Sequence, residues 1–126
     1  MTFPLDGHGP ASLRVVPSSD IDGLRVQLRG ELDRATAGRL VEIVGALAVP
    51  GTARVRLDLA DLDFIDAAGL AALLQIHTSL HRHGGRLSLV RARPLLRRML
   101  AVTSLLGALD VEPAPPAPES APPSGG

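Results

Sequence analysis

The hydrophobic period of this chain switches repeatedly between two residues and about 3.6, which points to a fold whose helices connect successive strands. Leu24, Val26 and Leu28 alternate with Arg25, Gln27 and Arg29, the pattern of a strand with one wet face. Leu13 and Val15 mark a shorter strand ahead of it. Asp20-Ile21-Asp22-Gly23 supplies turn residues between the two, so the pair reads as a hairpin. Thr36 is placed to cap a helix through Leu40, Ile43, Val44 and Leu47, which stops near Pro50-Gly51. Val55, Leu57 and Leu59 then alternate with Arg54, Arg56 and Asp58, giving another half-wet strand. Asp66 can cap a second helix through Leu70, Leu73, Leu74, His77 and Leu80, ended by Gly84-Gly85. Leu87 and Leu89 mark a further strand, Pro94 opens a third helix with Leu95, Leu96, Met99 and Leu100, and Leu109-Asp110-Val111 can form a last short strand.

Helices between successive strands imply parallel pairing with right-handed crossovers. A sheet covered on both faces would show nearly continuous apolar runs, and these strands are polar at alternate positions. The expected fold is therefore α/β, a single domain. Its sheet is mixed and mostly parallel, with four to five strands, helices mainly on one face and the first strand antiparallel at an edge. Residues 12–112 form this domain, after a flexible lead-in of residues 1–11 holding Pro4, Gly7, Gly9 and Pro10. Residues 113–126 are mostly Pro, Ala, Ser and Gly and are expected to be a disordered tail, because they carry too little apolar surface to offset ordering.

Composition removes several classes of function. All thirteen basic residues are Arg, so neither a P-loop lysine nor a Schiff-base lysine exists. There is no cysteine for a thiol nucleophile, a Cys-based zinc site or a disulfide. Formal net charge is zero and the only aromatics are Phe3 and Phe64, which argues against nucleic-acid binding. No apolar run is long enough to span a bilayer and no signal-peptide pattern opens the chain, so a cytoplasmic location is expected. No hydrolase nucleophile motif is present, and no enzyme activity or cofactor is expected.

Two strand-to-helix turns stand out: Gly30-Glu31-Leu32-Asp33-Arg34-Ala35-Thr36, and Phe64-Ile65-Asp66-Ala67-Ala68-Gly69-Leu70. Parallel α/β folds tend to place sites at such carboxyl ends of strands. Together with the strand order, these two stretches resemble the STAS domain of bacterial anti-sigma factor antagonists, over nearly all of the domain. Thr103-Ser104-Leu105 looks like the family's turn after its third helix.

The resemblance implies a signalling module of transcription regulation that binds an anti-sigma factor, itself a serine kinase. The implied partner surface is Glu31, Asp33, Thr36, Asp66, Ala67, Ala68 and Gly69. In the family the kinase phosphorylates a Ser or Thr directly after the Asp of the second motif, and the phosphate breaks the complex. Here that position is Ala67 and the next is Ala68. A methyl group cannot accept phosphate, so binding insensitive to the kinase is expected, with Thr36 or Ser104 as candidate displaced acceptors. STAS-like domains also serve as accessory or scaffold subunits, for example of lipid-transport ATPases, and that is the alternative.

Three further features have plainer readings. Asp58, Asp61, Asp63 and Asp66 read as a solvated acidic loop rather than a magnesium or phosphoaspartate site, since no Lys accompanies them. His77, His81 and His83 lack the acidic partner of a zinc helix, and no metal site is expected. Arg82, Arg86, Arg91, Arg93, Arg97 and Arg98 fall in a stretch without acids, which suggests a basic surface: a solvated face, or a contact for an acidic or phosphate-bearing partner.

Overall fold

A computed structural model describes residues 12–21, 23–48, 52, 54–102 and 109–112, and residues 3–6 by backbone alone. In chain order the elements are β1 (Phe3–Asp6), β2 (Ser12–Asp20), β3 (Gly23–Leu32), α1 (Ala37–Leu47), β4 (Arg54–Ile65), α2 (Ala67–Arg82), β5 (Arg86–Val90), α3 (Pro94–Val102) and β6 (Asp110–Val111). They form one sheet ordered β1-β2-β3-β4-β5-β6. The β2–β3 hairpin is antiparallel and closes at Asp20↔Gly23, as its turn residues require. From β3 onward all pairings are parallel. The α/β class and the mixed, mostly parallel sheet are as read from the periodicity.

The sheet is larger than expected. Six strands replace four to five, because Phe3–Asp6 pairs antiparallel with Ser12–Val15 inside the segment read as a lead-in. The first strand of the hairpin is therefore not wholly an edge. β4 is also longer than its alternation indicated. It continues through Asp61 and Asp63 to Ile65, so the acidic run belongs to a strand and not to a loop. Register shifts against β3 between Gln27 and Arg29 and between Gly30 and Glu31 explain the broken pattern. The first irregularity buries Leu62 out of step with Val55, Leu57 and Leu59, and the second brings Ile65 back into step with them.

The helices lie on one face, for a chiral reason. Strands β3 to β6 add in sequence order in one direction, and successive right-handed crossovers then land on the same side. Leu13, Val15, Val26, Leu28, Val55, Leu57, Leu87 and Leu89 point to that side and are almost fully buried. They pack with Leu40 and Val44 of α1, Leu70, Leu73, Ile76 and Leu80 of α2, and Leu96 and Leu100 of α3. The core is thus almost purely aliphatic, as a chain with two aromatics requires.

The other face is covered by its own charges. Arg56 bonds Asp20 at 2.7 Å, and Ser88 donates to Asp110 at 2.9 Å. Gln27 donates to Asp61 at 2.8 Å. At the centre Asp58 is only 2% exposed. Arg25 reaches it at 2.9 Å, and Arg91 at 2.6 Å through one nitrogen and 3.0 Å through another. Arg91 holds a left-handed backbone at φ 57°, a conformation unfavourable for a residue with a Cβ. Burial by itself would raise the Asp58 carboxyl pKa. Hydrogen bonds from Arg91, the Ala60 N–H and Arg25 outweigh that effect and leave it below its ordinary value.

Removing Asp58 leaves two guanidinium groups without their shared partner. Asp58→Ala is expected to cost about 3 kcal/mol in a denaturant titration. A loss under about 0.5 kcal/mol would show that the cluster is only surface decoration. Because the folded-state pKa of Asp58 is depressed, its contribution is present above the unfolded-state value of about 3.9 and is lost as pH falls through the folded one. Acid unfolding should therefore show a smaller pH dependence in Asp58→Asn than in the wild type.

Candidate functional site

The carboxyl ends of β3 and β4 bring the two motif turns side by side. In the first, Asp33 Oδ1 accepts from the N–H groups of Ala35 and Thr36 at 2.9 and 3.2 Å. Thr36 Oγ1 accepts in return from the Asp33 N–H at 3.0 Å and donates to the Glu31 carbonyl at 3.0 Å. This reciprocal pair has the bonding pattern of a capping box and closes the turn from Asp33 to Thr36 ahead of α1. Thr36, expected to cap α1, precedes the helix but makes no side-chain cap bond to it. Thr36 holds the N-cap position of α1, but its hydroxyl is occupied inward, and the side chain of Asp33 closes the turn ahead of the helix.

In the second turn Asp66 caps α2 as expected. Its backbone is extended, at φ −113° and ψ −172°, and its Oδ1 accepts from the Gly69 N–H at 2.9 Å. Its Oδ2 accepts from the Arg34 N–H at 3.2 Å, and its own N–H donates to the Leu32 carbonyl at 3.3 Å. One side chain therefore caps a helix and ties it to the neighbouring turn. Gly69 permits the approach: a Cβ there would lie 2.5 Å from the Leu32 carbonyl oxygen and 2.6 Å from Ile65 Cγ1.

The expected surface residues divide into two groups. Asp33, Asp66, Ala67 and Ala68 line one shallow open depression together with Arg34 and Ala35. Ala67 is exposed, while Glu31, Asp33, Asp66 and Ala68 are half-buried. Thr36 is 1% exposed and Gly69 is buried, so these two shape the turns from beneath. The first-turn N–H groups of Ala67 and Ala68 have no acceptor within the helix, which leaves a weakly positive spot beside two carboxylates. Ser104, the other candidate acceptor, and Thr103-Ser104-Leu105 lie outside the described residues.

The acidic run is not a solvated loop. Asp58 is buried, Asp61 meets Gln27 and Arg29, Asp63 faces Arg93 at 3.5 Å, and Asp66 is the cap. The expected basic surface is also largely neutralised within the fold. Arg91 holds Asp58, Arg86 pairs with Asp110, Arg93 bonds the Ala60 carbonyl, and Arg97 bonds the Glu112 carbonyl. His77 and His81 stack with ring centroids 6.1 Å apart. Among the described residues no group of three or more His, Asp or Glu side chains gathers around a possible metal.

Sequence reasoning missed an apolar groove beside this site. Leu59, Leu62 and Phe64 of β4 face Leu95, Leu96 and Met99 of α3 across about 290 Å³. Phe64 is 49% exposed and Leu95 65%. The available signal was Phe64, one of only two aromatics, next to the second motif.

The site rests on the Asp66 tie. Asp66→Ala is expected to cost about 1–2 kcal/mol, the usual loss for a cap. Amide exchange should speed up at Arg34 as well as at Gly69. Faster exchange at Gly69 alone would mean that the two turns are not coupled.

Comparison with known proteins shows a family for the chain. Residues 7–110 match the family model described as Mlab, STAS domain. A Bordetella bronchiseptica protein provisionally named anti-sigma factor antagonist BtrV is 33% identical over 92 residues, covering 72% of this chain and 79% of the relative. The crystal structure of an anti-sigma factor antagonist from Mycobacterium paratuberculosis superposes with a TM-score of 0.73 at 24% identity, covering 84% of this chain and 90% of that one. The Bacillus cell fate determinant SpoIIAA in its phosphorylated form superposes with a TM-score of 0.61 at 18% identity, covering 79% of this chain and 91% of that one. These two likenesses concern the fold alone.

Proposed function

The chain belongs to the STAS domain family, and from that premise we propose that it is a non-catalytic, cytoplasmic antagonist that binds an anti-sigma factor of the serine-kinase type. The single observation that carries the proposal is the double use of the Asp66 carboxylate. By bonding Gly69 and Arg34 together, it holds two strand-to-helix turns as one rigid surface. A preorganised surface loses little entropy on binding. The contact surface comprises Glu31, Asp33, Asp66, Ala67 and Ala68, with Thr36 and Gly69 supporting it from below. The named relative supports the partner class.

The chemistry of position 67 sets the regulation. A phosphate there would meet the free N–H groups at the start of α2 and add up to about two negative charges beside Asp66 and Asp33. Ala67 and Ala68 have no hydroxyl to receive it. The Thr36 hydroxyl is buried and bonded to the Glu31 carbonyl, so a kinase would have to open the first turn to reach it. On this reading the complex persists in the presence of ATP, and the domain acts as a constitutive sink for its partner.

Retention on the immobilised kinase-type anti-sigma factor, with and without ATP, tests the proposal. The wild type should be held equally in both conditions, and Ala67→Ser should be released when ATP is added. Phosphate label on the wild type at Thr36 or near α2 would overturn the reading of position 67. Failure of both forms to bind would overturn the partner assignment.

A further inference from the structure

Resting on the reading that a kinase-type anti-sigma factor docks on the motif turns, we propose that Arg34 is a specificity-determining contact of that surface and takes a carboxylate side chain of the partner. Most arginines of the chain are held by its own carboxylates. Arg25 and Arg91 share Asp58, Arg56 pairs with Asp20, and Arg93 with Asp63. Arg34 is exposed and lines the depression beside Asp33 and Asp66, yet its guanidinium pairs with no carboxylate of a described residue. The two local carboxylates are engaged elsewhere. Asp33 Oδ1 takes the N–H groups of Ala35 and Thr36, and Asp66 takes those of Gly69 and of Arg34 itself. The fold thus leaves one cation open in the middle of its most ordered turn.

Geometry suits this cation to a protein contact. Its base is fixed, because the Arg34 N–H is bonded to Asp66 and the next two N–H groups to Asp33. Only the side chain has to be ordered on binding, which lowers the entropic cost. Its neighbours are short. The other residues lining the depression are Asp33, Ala35, Asp66, Ala67 and Ala68, so Arg34 is the one long side chain there. A planar guanidinium offers N–H donors in a fork that matches a carboxylate through two parallel bonds. Charge selects the same occupant. Glu31, Asp33 and Asp66 make the face acidic and favour a basic partner surface. A uniformly basic surface would set a cation against Arg34, and like charges in contact are unfavourable. The partner that fits therefore carries a carboxylate among its basic groups, and Arg34 fixes where that carboxylate lies. The weakly positive start of α2 borders the same depression and favours that charge.

Calorimetric titration of the full chain with the kinase-type anti-sigma factor tests this, using Arg34→Met, Arg34→Lys and Arg34→Glu beside the wild type. Asp66 bonds the backbone of residue 34, so these substitutions leave the tie between the turns in place, and amide exchange at Gly69 should match the wild type. Arg34→Met should weaken binding roughly tenfold to hundredfold, the range of a buried arginine contact. Arg34→Lys should recover part of that loss, and Arg34→Glu should bind most weakly. Changing the partner's exposed Asp and Glu residues to Arg one at a time should yield one variant that prefers Arg34→Glu to the wild type. The proposal fails, with the partner assignment intact, if no such variant exists or if Arg34→Met binds within about twofold of the wild type. Faster exchange at Gly69 in Arg34→Met would trace the loss to the turn and not to the guanidinium. An effect of Arg34 seen only when the partner holds ATP would assign the guanidinium to a nucleotide phosphate and refute the carboxylate. A wild type that does not bind at all removes the partner assignment and this contact together.

Discussion

The Asp66 carboxylate joins two parts of the chain that are far apart in sequence. One oxygen ends the strand–helix junction of α2, and the other closes the first motif turn through the Arg34 N–H. The tie works because β3 and β4 are parallel neighbours whose last paired residues are Leu32 and Ile65. Their carboxyl ends therefore emerge together, and a short side chain can span from one turn to the next. Gly69 completes the arrangement, since any Cβ would force α2 away from Leu32. The surface formed by Asp33, Asp66, Ala67 and Ala68 is a consequence of this packing.

A second constraint lies on the helix-free face. Asp58 sits at the centre of the sheet and is nearly closed off from water, which is costly for a carboxylate unless it is paired. Arg25 comes from β3 and Arg91 from the end of β5, so the cluster clips together the three central strands. Arg91 accepts a left-handed backbone conformation to reach it, at a position where glycine would be unstrained. The Arg residues that look like a basic surface in the sequence are mostly spent on the sheet's own carboxylates and carbonyls. That weakens the case for an acidic or phosphate-bearing partner on this side, and it directs attention to the motif turns and the neighbouring apolar groove.

The site is also shaped by an absent oxygen. The helix start at Ala67 has free N–H groups that suit a phosphate, yet the exposed residue there is Ala67 and the half-buried one after it is Ala68. Shape and electrostatics of the turn come from the backbone, which alanine preserves. Phosphate acceptance needs a hydroxyl, which alanine lacks. The two properties therefore separate: the turn keeps its shape and its free N–H groups with no hydroxyl at positions 67 and 68.

Much of this was legible from residue order. The period changes, the turn residues of the hairpin, the polar alternation and the Asp66 cap are all local, and local physics sufficed to predict an α/β sheet with helices on one face. The identity of Ala67 is likewise settled by the sequence. Other features depended on register and long-range contact. Thr36 takes the cap position of α1, but its hydroxyl points inward to Glu31, and Asp33 supplies the side-chain bonds of the turn ahead of the helix. The acidic run looked like a loop because two register shifts hide the continuation of β4. The Asp58 cluster joins positions thirty-three residues apart on each side, which no local pattern can report. β1 is only four residues long and carries a proline, so its pairing with β2 leaves almost no periodic signal. Residue types and their spacing thus determined which elements form and which chemistry is missing. The tertiary structure alone decided which turns meet, which charges are paired and which apolar side chains stay open, because those outcomes depend on how strand ends align across the sheet.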